Sequence, residues 1–300
     1  MLVSRRDFLR TCQRYAPVLG LSAVELGRVK AVLANPNAPT CLWLEGSACS
    51  GCSLSFLNYV SSTAPKTAAE VLISTVNLAY HKTVMAGAGQ LAVDVVKAAY
   101  QKGSYVLIVE GGVPTAFGGH TCVIWTDSGR DVTALEAVQW LAPRAQAIVS
   151  IGTCAAWGGV PAAAPNPTGV QGVKTVTLRN TINVPGCPPH PNWMIWTLVK
   201  LLAGTLGPLD QFGRPSGLFN RTVHDLCERR EREEAHTFGQ DGLCLEELGC
   251  WGPSTQAPCP TTRFNNGVNW CVDANALCIG CARPAFPGAA IHEQHEEEDD

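Results

Sequence analysis

Short apolar runs alternate with longer amphipathic stretches between about residue 40 and residue 200. Four of these runs predict buried strands, and a fifth, weaker run is stopped by Pro185. Strands that are apolar throughout and alternate with helices indicate a parallel, doubly wound sheet in an α/β domain. The predicted strands are residues 41–44, 71–73, 105–109, 147–151 and 181–184, and the predicted helices are residues 84–100 and 132–141.

The pattern changes after Leu202, where Gly, Pro, Cys and charged residues increase and no strand period persists. We therefore expect an α/β domain over residues 40–205 and a second, irregular domain over residues 206–290. Something other than a large apolar core must hold that second domain together. Residues 291–300 form an acidic tail, in which His292 and His295 are not expected to bind metal.

The composition points to folded domains with unusual cysteine chemistry. The 300-residue chain is 46% hydrophobic and 16% charged, which argues against long disordered segments. The formal net charge of −3 gives no indication of the basic surface that nucleic acid binding requires. The 14 cysteines are too many for idle core thiols and too dilute for a small disulfide scaffold, so they indicate disulfide bonds or metal.

The N-terminus carries a twin arginine, Arg5 and Arg6, followed by Phe8 and Leu9. This motif is the address of the bacterial twin-arginine export route, and small residues near Ala34 suit cleavage. We therefore predict a signal peptide over residues 1–34, with a retained amphipathic helix as the alternative. Because this route exports folded proteins, a cofactor could be inserted before export. No run of about 18 apolar residues occurs, so no transmembrane helix is expected.

Cysteine-bearing loops follow three of the predicted strands. Cys49 and Cys52 follow the first, Cys122 follows the strand at 105–109, and Cys154 follows the strand at 147–151. Ligands of open parallel sheets bind outside the carboxyl ends of strands, so these four thiols could meet at one point. Four thiolates are the ligand set of a cubane iron–sulfur cluster. A redox dithiol and half of a zinc site are the alternatives for the Cys-x-x-Cys pair.

The second domain holds eight potential metal ligands, which are enough for two four-ligand sites. Zinc could use such a set, although its knuckles are usually more compact than the spacings here. Disulfides are another alternative, but loss of Cys12 with the signal peptide would leave an odd number, thirteen of the 14 cysteines. The eight ligands are His224, Cys227, Cys244, Cys250, Cys259, Cys271, Cys278 and Cys281.

These motifs, taken in order, resemble the small subunit of nickel–iron hydrogenases along nearly the whole chain. The resemblance rests on the twin-arginine leader, the Cys-x-x-Cys loop, Glu-Gly-Gly-Val-Pro at 110–114 and Gly-Thr-Cys-Ala at 152–155. It extends through Pro-Gly-Cys-Pro-Pro-His-Pro at 185–191, His-Asp-Leu-Cys at 224–227 and Cys-Ile-Gly-Cys at 278–281. The implied fold is a flavodoxin-like, doubly wound parallel sheet followed by an irregular, cluster-binding C-terminal domain.

The resemblance implies three iron–sulfur clusters. Many family members have Pro where this chain has Cys271, and their medial cluster contains three irons. Because a fourth thiolate is available here, we predict a medial [4Fe-4S] cluster of lower potential, and hence three [4Fe-4S] clusters. The implied ligands are Cys49, Cys52, Cys122 and Cys154 for the proximal cluster, His224, Cys227, Cys244 and Cys250 for the distal cluster, and Cys259, Cys271, Cys278 and Cys281 for the medial cluster.

Several positions depart from the family or stand outside these sets. Cys187 lies in a Gly-Cys-Pro-Pro turn whose cysteine binds a cluster in a related subunit of respiratory complex I. Because Cys122 supplies a fourth thiol, Cys187 is predicted to lie near the cluster without binding it. Cys41 is predicted to be a core residue. Gly51 and Asp127 stand where oxygen-tolerant members add cysteines, so the sequence does not support their modified cluster.

The function implied is electron transfer within a hydrogenase whose nickel–iron centre lies on a separate large subunit. The two subunits would form a heterodimer or a dimer of heterodimers. Electrons from H2 oxidation would pass to an external acceptor, a cytochrome in our prediction, in the periplasm or at the periplasmic face of the membrane through a partner. The alternatives are an iron–sulfur subunit of another oxidoreductase, similar to complex I, and a non-redox binding protein stabilised by zinc or disulfides.

Overall fold

The computed structural model describes residues 40–62, 65–74 and 76–288. The predicted signal peptide, residues 1–34, and the predicted acidic tail, residues 291–300, lie outside the described residues. Within the described ranges, no helix has the length and apolar character needed to cross a bilayer.

The central element is a sheet of five parallel strands flanked by a small antiparallel hairpin. The sheet strands are β1 (Thr40–Glu45), β2 (Asn77–His81), β3 (Tyr105–Glu110), β6 (Ala145–Ile151) and β7 (Ile182–Val184), and the hairpin strands are β4 (Val123–Asp127) and β5 (Arg130–Thr133). The sheet order is β2–β1–β3–β6–β7, and every pair is parallel. Counted within the sheet, this order is 2-1-3-4-5, which is the flavodoxin-like arrangement. The predicted fold class is confirmed.

Nine α-helices connect the strands or follow them in the described part of the chain. The first six are α1 (Gly51–Leu57), α2 (Ala68–Ser74), α3 (Gln90–Lys102), α4 (Ala134–Leu141), α5 (Gly152–Trp157) and α6 (Val173–Thr177). The remaining three are α7 (Pro191–Leu202), α8 (Val223–Leu226) and α9 (Cys259–Thr262). Short 3-10 turns occupy Ala116–Gly119, Ala142–Arg144 and Val160–Ala162.

Both faces of the sheet are buried by apolar clusters. Leu42 and Leu107 lie in one cluster with side chains of α3 and α4, and Trp43 and Ile108 lie in the other. The second cluster also contains Trp193 of α7 and apolar side chains from the 206–288 segment. The irregular C-terminal segment, which has only two short helices, therefore shares a core with the sheet rather than building its own.

One predicted strand was wrong. Residues 71–73 lie in helix α2 (Ala68–Ser74), and the strand that follows is β2 (Asn77–His81). A three-residue apolar run is too short to show a period, so it cannot distinguish a strand from a buried helical turn. The edge strand β2 escaped notice because only its last two residues are fully buried.

Two predicted helices begin later than expected. The helix expected at 84–100 is α3 (Gln90–Lys102), which starts after Gly89. The helix expected at 132–141 is α4 (Ala134–Leu141), because Thr133 and Glu136 form a capping box that fixes its first turn. The two residues before Ala134 pair in β5 instead.

Candidate functional site: three groups of thiols

The first group of thiols lies at the carboxyl ends of the parallel strands. Cys49 and Cys52 follow β1, and Cys154 lies in α5 directly after β6. Burial raises the pKa of Cys52 well above its ordinary value, and the charges of Glu110, Cys154, Cys49 and Cys187 raise it further. Burial is also the main reason that the pKa of Cys154 is raised to about 11, and the charge of Cys187 contributes to the same rise. These thiols therefore lie close enough to interact electrostatically.

Cys122 is placed differently from the other predicted proximal ligands. It lies directly before β4, and its backbone N–H donates to the carbonyl of Gly119 at 3.0 Å. Burial raises the pKa of Cys122 and the charge of Lys82 lowers it. Among the interactions of the described residues, none joins Cys122 to this first group, whereas Cys187 is joined to it. The assignment of Cys122 stays a prediction.

Two glycines leave room for the thiols of the first group. A Cβ on Gly152 would lie 2.6 Å from the sulfur of Cys52. A Cβ on Gly159 would lie 2.9 Å from the sulfur of Cys154 and from its backbone nitrogen. Real Cβ atoms do not approach neighbours this closely, so any larger residue would displace the thiols.

A buried acid–base set, which the sequence interpretation missed, supports the Cys-x-x-Cys loop. Ligand atoms of Glu45, His81 and Glu110 lie within 4.8 Å of one another. Lys82 Nζ lies 3.2 Å from Glu45 Oε2 and supplies an opposite charge. Burial raises the pKa of Glu110 and lowers the pKa of His81. Because these three residues end the adjacent strands β1, β2 and β3, a correct strand order would have revealed the set.

The predicted distal ligands line a single small pocket. His224 lies in α8, whose first turn is fixed by a capping box between Thr222 and Asp225. Ligand atoms of His224, Cys244 and Glu246 lie within 4.8 Å of one another. Burial raises the pKa of the Cys250 thiol, and Cys244 and Cys227 raise it too. The pocket brings together His224, Cys227, Cys244 and Cys250.

The predicted medial ligands line a cavity of about 260 Å³. Its other walls are mostly apolar and include Trp193, Phe264 and Trp270. Burial raises the pKa of Cys259 well above its ordinary value, and the three other medial thiols raise it further. The structure thus brings together Cys259, Cys271, Cys278 and Cys281.

The donor set fits iron–sulfur clusters. Every cysteine in the described part of the chain is a free thiol. Burial raises the pKa of Cys278 to about 12 and that of Cys281 to about 11, so neither thiol ionises unaided near neutral pH. Thiolate is the form that binds metal, and a bound cation is what stabilises it at such a depth. Among the described residues, the medial cavity is lined by cysteine sulfurs and by no carboxylate. Soft thiolate ligands of this kind suit iron–sulfur clusters.

Direct hydrogen bonds connect the three groups in succession. Thr153, which precedes Cys154, donates through Oγ1 to the carbonyl of Cys281. The backbone of Cys187 lowers the pKa of the Cys281 thiol, which opposes the effect of burial. The backbone N–H of Trp251, which follows Cys250, donates to the carbonyl of Cys278 at 2.8 Å. The medial group therefore lies between the other two.

Two family models match the chain. The model described as "NADH ubiquinone oxidoreductase, 20 Kd subunit" matches residues 49–201. The model for the C-terminal part of the NiFe/NiFeSe hydrogenase small subunit matches residues 219–292. The first match covers the sheet strands other than β1, and the second covers the segment with the distal and medial groups.

Relatives and solved structures match over most of their length. The periplasmic [NiFeSe] hydrogenase small subunit of Desulfomicrobium baculatum is 40% identical, with 96% of this chain and 97% of the relative covered. The periplasmic [NiFe] hydrogenase small subunit 1 of Nitratidesulfovibrio vulgaris is 37% identical, with 95% and 90% covered. The recombinant [NiFeSe] hydrogenase structure from Desulfovibrio vulgaris Hildenborough matches with a TM-score of 0.78 and 36% identity, covering 85% of this chain and 96% of that chain.

Proposed function

The chain belongs to the family of nickel–iron hydrogenase small subunits, and from this membership we propose that it transfers electrons between a hydrogen-activating large subunit and an external acceptor. The hydrogenase reaction itself takes place on the partner, at its nickel–iron centre. The observation that carries the proposal is the succession of three thiol groups, joined by hydrogen bonds from Thr153 and Trp251.

Each thiol group would hold one cluster. Iron–sulfur clusters supply one-electron carriers, so electrons from H2 oxidation would pass from the proximal through the medial to the distal position and on to a cytochrome. The protein supplies the thiolates, excludes water by burial and tunes potentials through hydrogen bonds and charge. We assign Cys49, Cys52, Cys122 and Cys154 to the proximal cluster, His224, Cys227, Cys244 and Cys250 to the distal cluster, and Cys259, Cys271, Cys278 and Cys281 to a medial [4Fe-4S] cluster.

We also propose that the complex functions in the periplasm. The twin arginine at Arg5 and Arg6 supports this location, as do the names of the periplasmic relatives. Residues 1–34 would be the signal peptide, 40–205 the flavodoxin-like domain and 206–290 the domain for the medial and distal clusters. The complex would be a heterodimer with the large subunit, or a dimer of heterodimers.

A second candidate is an electron-transfer subunit of another oxidoreductase, similar to complex I. The match of residues 49–201 to a complex I subunit model favours it, and so does the position of Cys187 beside Cys52. The match of residues 219–292 to the hydrogenase C-terminal model favours the first candidate. Nickel in the purified complex distinguishes the two.

The test is the metal content of the complex purified anaerobically. A hydrogenase with three four-iron clusters requires about thirteen iron, about twelve acid-labile sulfide and about one nickel per heterodimer. One iron fewer, with a three-iron resonance, would keep the hydrogenase and overturn the medial [4Fe-4S] assignment. Iron without nickel in an intact complex would favour the second candidate. Zinc, or oxidised thiols without metal, would exclude electron transfer altogether.

A further inference from the structure

Arg283 lies directly beside the medial thiols. It follows Cys281 by two residues, and its backbone N–H donates to the carbonyl of Gly280 at 2.9 Å. The guanidinium carbon lies 3.5 Å from the centre of the Trp251 ring. Nη1 lies 3.4 Å from Ser254 Oγ. The side chain thus folds back over the segment that carries Cys278 and Cys281.

The guanidinium is held in a fixed place between the indole ring and the Cys278–Cys281 backbone. A Cβ on Gly280 would lie 2.5 Å from Arg283 Nε and 3.1 Å from the Cβ of Trp251. The Nε atom is buried and has no hydrogen-bond partner. Stacking on an aromatic ring stabilises an arginine whose donors are incompletely satisfied, since the ring face attracts the cation.

Arg283 forms no ion pair within the described part of the chain, although eight other ion pairs of arginine or lysine occur there. Burial lowers its pKa, and the charge of the Cys278 thiol raises it. A guanidinium stays protonated under all ordinary conditions. A partly buried cation needs an anion nearby to offset its lost hydration. The Nε atom lies against Gly280, between Cys278 and Cys281, so thiolates at those two residues are a source of negative charge beside it.

We propose that Arg283 is the counter-charge of the medial site and raises the reduction potential of the cluster that Cys259, Cys271, Cys278 and Cys281 would hold. The inference rests on the proposed function. Reduction adds one electron to a thiolate-ligated group that is already negative, and a fixed cation stabilises that added charge. Cluster potentials respond to net charge, hydrogen bonding and burial in this way. Arg283 would therefore raise the potential through its fixed positive charge, without binding iron.

The test compares Arg283→Gln with Arg283→Lys in the complete heterodimer. Potentials are measured by redox titration followed by electron paramagnetic resonance, and the medial signal is the one that Cys271→Pro alters. We expect Arg283→Gln to lower the medial midpoint potential by on the order of 59 mV, a tenfold change in the reduction equilibrium. Arg283→Lys keeps the positive charge and should therefore keep most of the wild-type midpoint potential. Arg221→Gln is the matched control, because that arginine is exposed and, among the residues that the structure describes, donates only to the carbonyl of Asp225.

The outcomes separate this inference from the proposed function. An unchanged medial potential in Arg283→Gln with full iron content would overturn the inference and leave the function intact. A wild-type complex without iron at the medial thiols would overturn both. If Arg283→Gln loses the cluster, Arg283→Met is the second neutral variant, because its apolar side chain still packs over Trp251. It too should lower the medial midpoint potential. Loss from both neutral variants but not from Arg283→Lys supports the counter-charge, and loss from all three contradicts it.

Discussion

The carboxylate of Glu110 accepts a hydrogen bond from the backbone N–H of Cys52 at 3.1 Å, although 58 positions separate the two residues. The same Oε1 accepts the N–H of Ser53 at 3.2 Å, and Oε2 accepts the indole N–H of Trp43 at 3.1 Å. One buried side chain at the end of β3 therefore fixes the first turn of α1, and with it the Cys-x-x-Cys loop.

Replacing this carboxylate should destabilise the subunit. Glu110→Ala leaves the N–H groups of Cys52, Ser53 and Trp43 without a protein partner, and each unpaired buried donor costs about 1–3 kcal/mol. Glu110→Gln keeps one acceptor oxygen and should cost less. Urea unfolding and iron content measure the effect. Glu231→Ala is the control, since that side chain is 91% exposed, and an equal loss in both variants would contradict the role of Glu110.

The sequence predicted the sheet better than the surroundings of the site. Strands β3 and β6 are long apolar runs, and one of them is buried at every position, so their pattern could not be mistaken. The short run at 71–73 was ambiguous, and the wrong strand there concealed His81 at the end of β2. The position of Cys187 near the first group was expected from the likeness of its Gly-Cys-Pro-Pro turn to the complex I subunit, and the charge of Cys187 does act on Cys52.

The C-terminal ligands were predictable as a set, but their environment was not. Eight donors in one stretch indicate two sites, whatever the intervening chain does. That Cys281 interacts with both Thr153 and Cys187 could not be read from the sequence, because those contacts cross from the C-terminal segment to the sheet. Residues that tune a site through space, such as Arg283, leave no motif of their own.

His190 should make the subunit lose stability on acidification. Its Nδ1 accepts the N–H of Asn192 at the start of α7, so Nε2 carries the proton donated to the carbonyl of Arg263 at 2.7 Å. Burial lowers its pKa below the ordinary value of about 6.5. As pH falls through about 6.5, the unfolded chain binds the proton first, so the stability present at higher pH is progressively lost.

His190→Asn tests this pH dependence. Asn can accept the same N-cap hydrogen bond and does not titrate, but it loses the hydrogen bond to the Arg263 carbonyl, so stability at neutral pH should fall by about 1–3 kcal/mol. Urea unfolding at about pH 7.5 and about pH 5.5 should show a smaller decline for the variant than for the wild type. Some decline should persist, because burial also lowers the pKa of His81. Equal declines in both proteins would show that His190 is not responsible.

Cys271→Pro should convert the medial cluster. Removal of one of four thiolates leaves Cys259, Cys278 and Cys281, a ligand set for three irons, so iron content should fall by about one per subunit. The oxidised variant should give an intense three-iron resonance that the wild type lacks, and its medial potential should rise. Cys41→Ala is the control, because that thiol is buried in β1 and should keep full iron. A three-iron resonance from the medial site of the wild type would contradict the prediction.

Cys187→Ser and Cys154→Ser should differ sharply in iron content. The two thiols interact with each other, although Cys187 is exposed and Cys154 is partly buried. If Cys187 is a neighbour and Cys154 a ligand, the first variant keeps full iron and the second loses up to about four irons. If Cys187→Ser instead loses iron and Cys154→Ser keeps it, Cys187 is a proximal ligand and one of the four assigned cysteines is not. Cys122 would then be the first assignment to test.

Gly152→Ala should expel iron from the proximal site for a steric reason. Gly152 has φ +85°, and its added Cβ would lie 2.6 Å from the sulfur of Cys52. Gly129 has the same φ of +85° with nothing within 4 Å of the added Cβ, so Gly129→Ala carries the same backbone strain without the clash. That shared strain costs roughly 1–2 kcal/mol.

The pair therefore separates backbone strain from displacement of the thiol. Both variants should lower the midpoint of thermal unfolding, but only Gly152→Ala should reduce the iron content and weaken the proximal resonance. Equal iron retention would mean that the Cys52 sulfur can move aside without leaving the metal, and the close approach of Gly152 would then be a feature of packing alone. Iron loss confined to Gly152→Ala would place Cys52 in the proximal ligand set independently of any cysteine substitution.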